Sequence, residues 1–233
     1  MSTTFGELKR QVLLRMPDPG DGKTILAVEQ GINEAHKAIA RVRDFDELTV
    51  LDTANASTVA NQSLYHIIDD LGLARPKDIL TIRYMDEANS RKLTYVPVRE
   101  LDERIPYTEL FGTGKPSYYT RRGMYIELFR IPDEAKPLYI LHTQWPATLS
   151  NDSDTTPYSN LDDVICTLAT EIATSILEGG AATSWTARAS ALLGLAISDD
   201  MRRPDRFLVA RPFSAAGEPV GKYWLNPWIR KEP

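Results

Sequence analysis

The stretch Thr24-Ile25-Leu26-Ala27-Val28-Glu29-Gln30-Gly31-Ile32-Asn33-Glu34-Ala35-His36-Lys37-Ala38-Ile39-Ala40-Arg41-Val42-Arg43 carries the clearest period in the chain. Ile25, Val28, Ile32, Ala35, Ile39 and Val42 return at alternating steps of three and four, which places them on one seam of a helix. The spacing predicts that helix over residues 24–43. Such a seam serves either an internal core, the commoner use, or a helix of a neighbouring subunit. Ile25, Val28, Ile32 and Ile39 are the subunit-packing candidates.

Upstream, Thr4-Phe5-Gly6-Glu7 fits a capping box, and Phe5, Leu8, Val12 and Met16 follow at helical spacing. Pro17-Asp18-Pro19-Gly20 stops that first helix. Downstream of Asp46 the period changes to two. Runs at residues 48–51, 63–67, 79–84, 92–96, 124–129 and 138–142 are β-branched or aromatic and are parted by Asn, Asp, Gly and Pro clusters. They read as antiparallel strands joined by hairpins and short loops, with a helical turn at residues 98–104 and an exposed loop at Gly112-Thr113-Gly114-Lys115-Pro116.

Helical spacing returns after Ser159-Asn160, an N-cap candidate ahead of Asp162 and Asp163. Leu161, Ile165, Leu168, Ile172 and Ile176 form its apolar face, and Gly179-Gly180 ends it. A fourth helix over residues 181–201 carries Trp185, Ala189, Leu192, Leu193, Ala196 and Ile197, completing a helical hairpin. The reading is an α+β chain: a helical body of about four helices from residues 1–45 and 159–203, a β-rich antiparallel insertion at 46–158, and an extended arm at 204–233.

The arm holds five of the fifteen prolines, which forbid a long helix there. It also holds Phe207, Phe213, Tyr223, Trp224 and Trp228, an aromatic density that usually has a partner. Residues 202–233 carry seven Lys/Arg (Arg202, Arg203, Arg206, Arg211, Lys222, Arg230, Lys231) against three acids, whereas residues 1–201 carry 20 against 29. An acidic body bears a basic tail, and the plain reading of such a tail is a solvated end.

The chain has 233 residues, of which 42% are hydrophobic and 25% charged, an ordinary globular balance. A net charge of -5 gives no global basic footprint for DNA binding. One cysteine, Cys166, allows no intrachain disulfide. The longest apolar run, residues 191–197, is far short of the roughly 18 needed to span a membrane. The start of the chain lacks a signal-peptide core. The expectation is a soluble protein made in the cytoplasm or built into something assembled there.

Chemical motifs are weak. Gly22-Lys23-Thr24 ends like a phosphate loop, but the position of its first glycine is Pro17 and no strand precedes it. Asn151-Asp152-Ser153-Asp154 opens like a calcium loop, but Pro157 stands where the turn needs glycine. His36, His66 and His142 lie in separate elements without zinc spacing, and His36 reads most simply as a surface or interface residue. Cys166, on an apolar helix face, reads as a small buried hydrophobe rather than a nucleophile. Glu100 with Asp102, or Asp162 with Asp163, could do acid–base work only in a cleft that raised one pKa. No catalytic residue, cofactor or metal is assigned.

The order of features is then distinctive. The long helix ends in Arg41-Val42-Arg43-Asp44-Phe45-Asp46-Glu47-Leu48, followed by Arg91-Lys92-Leu93-Thr94-Tyr95-Val96-Pro97 and Gly114-Lys115-Pro116-Ser117-Tyr118-Tyr119-Thr120. Ile126-Glu127-Leu128, Ile131-Pro132-Asp133 and Trp145-Pro146 follow before the helical hairpin. Over about residues 3–205 the chain resembles the head-to-tail adaptor (connector or neck) proteins of tailed bacteriophages. The resemblance implies a non-enzymatic virion structural protein whose helical body forms a ring, typically of twelve copies, below the portal protein. The β-rich part would face a tail tube or nozzle protein, and double-stranded DNA would pass through the channel without specific binding during genome ejection. It would sit in the virion neck after assembly in the host cytoplasm and would have no membrane partner. C-terminal arms of such adaptors commonly dock on the portal, so Arg202, Arg203, Arg206, Phe207, Arg211, Phe213, Tyr223, Trp224 and Trp228 become the portal-binding candidates. The rival readings are a phage-associated cell-wall hydrolase using Glu100 and Asp102, and a host-side monomeric binding module.

Overall fold

The computed structural model describes residues 3–86, 89–104, 112–178 and 183–201. Helix α1 (Phe5–Leu13) opens with the expected capping box: Thr4 N–H donates to Glu7 Oε2 at 3.0 Å and Glu7 N–H to Thr4 Oγ1 at 3.3 Å. Its next orphan amides, Phe5 and Gly6, donate to the carbonyls of Asp154 and Asp152 at 2.7 and 3.1 Å. The first turn is thereby satisfied. The helix stops at Leu13, three residues before the sequence pattern does, yet Met16 remains buried.

Helix α2 (Gly22–Val42) is the long seam helix. It lies against α4 (Asp162–Glu178), which forms the hairpin with α5 (Thr183–Met201). Val28, Ile32, Ala35 and Ile39 share one core with Phe5, Leu8 and Val12 of α1 and with Ile165, Ala169 and Ala173 of α4. The approach is close, since a β-carbon at Gly31 would stand 2.7 Å from the Ala169 carbonyl oxygen. Only glycine fits there. Helix α4 runs through the middle of the body, and its hydroxyls turn inward: Thr167 donates to Asp163 O at 2.6 Å and Thr170 to Cys166 O at 2.6 Å. These bonds let polar residues occupy a buried helix. The expected N-cap at Ser159-Asn160 does not form. Asn160 takes a left-handed φ of 61°, Ser159 donates its hydroxyl to Glu47 Oε1, and the Thr3 hydroxyl reaches Asp162 instead.

The insertion is a two-sheet sandwich. Strands β1 (Thr49–Asp52), β8 (Leu138–Gln144), β3 (Pro76–Asp86) and β4 (Asn89–Lys92) form one antiparallel sheet in that spatial order. Strands β2 (Leu64–His66), β7 (Tyr125–Phe129), β6 (Tyr118–Arg122) and β5 (Thr94–Tyr95) form the other. Inward residues of both sheets, among them Tyr65, Ile82, Tyr84, Leu128 and Ile140, make a second core. The run expected as one strand at residues 92–96 is two. Leu93 is buried between the sheets and donates to Ile82 O, after which Thr94 donates to Ser117 O in the opposite sheet. The strand changes sheets at that point, and β5 pairs with β6 in parallel, a departure from the all-antiparallel expectation. Helix α3 (Val98–Arg104) follows at the residues the sequence marks.

The chain leaves and re-enters the body on neighbouring strands, with Thr49 opposite Thr143. Lys77 fastens the junction: its ammonium donates to the Ala40 carbonyl near the end of α2, pairs with Asp44 at 2.6 Å and lies 5.5 Å from the Trp145 ring centroid. A cation at a helix C-terminus also answers the helix dipole. Beyond β8, Asn33 holds Leu149 through both of its backbone groups, at 2.8 and 3.0 Å. The buried Tyr158 hydroxyl donates to His36 O at 3.0 Å.

Candidate interaction surfaces

The packing candidates on α2 divide. Val28, Ile32 and Ile39 have no exposed surface and pack in the internal core, the commoner of the two uses the seam allowed. Ile25 alone keeps partial exposure. It lines an open cleft of about 320 Å³ between α1 and α2 with Gly6, Lys9, Arg10, Leu13, Leu14, Pro19 and Asp152. Leu14 is 80% exposed at this cleft, and Leu26 beside it is 67% exposed. Both stand off the seams of their helices, which is the sequence signal that marks them. A second surface is the outer side of α5. Leu192, Leu193 and Ala196 lean on the body core, while Leu195 is 65% exposed. A third is a shallow groove of about 200 Å³ on the sandwich, lined by Leu51, Thr81, Arg83, Tyr139 and Leu141.

Residues that could carry chemistry are used structurally. Gly22-Lys23-Thr24 forms the first turn of α2, behind a helix and a turn, with Thr24 buried. The Asn151–Asp154 segment clasps α1: Asp154 accepts the Ser150 and Asn151 amides at 2.8 and 2.9 Å, and Asp152 pairs with Lys9. These backbone bonds hold the Asp154 carboxyl below its ordinary range. Asp102 is bound by Arg122 at 2.6 Å, and the same guanidinium binds Glu127 at 2.6 Å. Neither the α1–α2 cleft nor the sandwich groove is lined by Glu100 or Asp102. No group of three or more His, Cys, Asp or Glu gathers at metal-binding range among the described residues.

His36 is buried, not a surface residue, and stacks edge-on to Tyr158 at 5.7 Å between centroids. Burial pushes its imidazole down to about 4. Desolvation likewise pushes the Cys166 thiol up to about 11, and its Sγ donates to Gln11 Oε1 at 3.3 Å. That thiol is protonated at neutral pH, as an inert core residue is.

Arg202, Arg203, Arg206, Phe207, Arg211, Phe213, Tyr223, Trp224 and Trp228 lie outside the described residues. No helix among the described residues is long and apolar enough to cross a membrane. The family model described as SU10 adaptor protein matches residues 3–211, which takes in the body, the sandwich and the hairpin but not residues 212–233. No curated protein matches the chain.

Proposed function

The chain belongs to the SU10 adaptor family of phage head-to-tail adaptors, and from that premise we propose that it forms a ring, of twelve copies, between portal and tail. The observation that carries the reading is the span of the family match, which covers both the helical body and the inserted sandwich. In this reading the body stacks under the portal, the sandwich meets the tail tube or nozzle, and the ring extends the DNA channel through the virion neck. The excess of acids over residues 1–201 supports passage without retention, because a wall that does not neutralise phosphate releases no counterions and gains no affinity.

The arm is the portal anchor in this proposal. Tyr223, Trp224 and Trp228 supply large apolar contact, with Phe207 and Phe213 beside them, and Arg202, Arg203, Arg206 and Arg211 meet acidic portal surface. The test mixes the purified chain with the portal of the same virus at micromolar concentration and images the product. A closed ring with the portal's rotational symmetry is expected. Deleting residues 204–233 should weaken that complex, and Trp224→Ala with Trp228→Ala should reproduce most of the loss. Particles with no density below the portal would overturn the function, whereas an unchanged affinity after truncation would remove only the anchor.

A further inference from the structure

We infer that α5 of one copy lies along the α1–α2 cleft of the next, with Leu195 seated among Leu13, Leu14 and Ile25. The inference rests on the ring reading and deepens it by naming the two surfaces that meet. A ring needs two different patches on each subunit, because a patch that pairs with itself closes into a dimer. The body offers two such patches. Among the described residues none of α5 lines the cleft, so both patches are available on one chain at once.

Their shapes are complementary. Arg188, Ala191, Leu195 and Ser198 recur at steps of three and four and are all exposed, and the space around a β-carbon at Gly194 is open. This face carries one large apolar side chain on an otherwise low ridge, the form of a knob. The cleft is concave, apolar at one end and charged at the other.

The charges fall in the same register. Asp152 lies beside Gly6 of α1, with its side chain 74% exposed, and Leu13 is seven residues farther along that helix. On α5, Leu195 is seven residues beyond Arg188. Seven residues of helix span about 10.5 Å in both cases. With α5 parallel to α1, Leu195 at the Leu13 level therefore brings Arg188 to Asp152. The knob at Leu195 and the charge contact of Arg188 with Asp152, which is still 74% exposed beside its pairing with Lys9, together set one register and one direction.

The experiment uses two full-length variants, Leu14→Cys and Leu195→Cys, each bound to portal alone or as a mixture and treated with a short bismaleimide. Cys166 is buried and protonated, so it does not compete. Linkage is expected only in the mixture, between one variant and the other. Separately, Leu195→Asp should keep the helix content and raise the concentration needed for ring closure by at least about tenfold. Three results overturn the inference while leaving the ring intact: rings that image normally yet do not link, linkage within one variant alone, or ring closure unaffected by Leu195→Asp. If the unsubstituted chain forms no ring on portal, the ring reading itself falls and takes this inference with it.

Discussion

The helical body packs mostly aliphatic side chains and alanines at short range, with Gly31 letting α2 touch the backbone of α4 and Tyr158 as its one tyrosine, whereas the sandwich core takes in three, Tyr65, Tyr84 and Tyr119. The tyrosines bring hydroxyls inside with them. The Tyr65 oxygen donates to Gln62 O at 2.8 Å and accepts from Val59 N–H at 3.0 Å, fastening the loop before β2. The Tyr84 hydroxyl finds no partner among the described residues, and burial with nearby acids pushes its pKa up to about 12. Shape weighs more in the first core and hydrogen bonding of tyrosines more in the second, so deletions of each kind should cost them differently.

The largest expected effect tests shape. Ile32→Ala should cost the body about 2–5 kcal/mol, because a seam residue facing α4 leaves a cavity that the close approach at Gly31 prevents from collapsing. Amide exchange should quicken in α2 and α4 before it does in β7 and β8. Equal quickening in both regions would mean that the two cores open as one unit.

Acid separates them next, since each core buries one imidazole. The folded-state pKa of His36 lies at about 4, well under the ordinary 6.5 of an unfolded chain, so the unfolded state binds the proton more readily between those values. Its contribution is fully present above pH 6.5 and falls as pH drops toward 4, by roughly 2–3 kcal/mol at pH 4.5. Burial also lowers His142 in the sandwich, in the same direction. Urea midpoints of the native chain and of His36→Leu, compared at pH 7 and 4.5, give the check. The variant should lose most of the body's acid sensitivity and keep that of the sandwich.

The smallest effect tests hydrogen bonding. Tyr65→Phe should cost about 1 kcal/mol, and Tyr84→Phe should be near neutral, because only the first removes bonds that the fold makes. Thermal melts of the two variants decide it. A larger loss at Tyr84 would place a bound group on that hydroxyl.

The body was the more legible region because helical spacing repeats locally. Val28, Ile32 and Ile39 announce a buried face within one segment, although spacing alone could not say which helix they would face. The capping box at Thr4 was equally plain, since both of its bonds lie within four residues. The sandwich strands were visible as alternating runs, but pairing is a long-range choice. Nothing local in Lys92-Leu93-Thr94 says that the chain changes sheets at Leu93 or that β5 will run parallel to β6. His36 was misjudged because its environment comes from Tyr158, 122 positions away. Of the candidate surfaces, the cleft between α1 and α2 was hidden for the same reason, while Leu195 lies off the face of Leu192, Leu193 and Ala196 that the sequence assigned to the core.

Thr49 and Thr143 face each other across a single rung of β1 and β8. The two ends stand close enough for a short turn to join them, so the segment between them can be exchanged or lengthened provided that the clasp of Lys77 on Ala40 and Asp44 is kept or replaced. In evolutionary terms the sandwich is a cassette. On the proposed arrangement, with the helices under the portal and the sandwich at the tail, viruses that keep one head and change tails could trade the cassette whole.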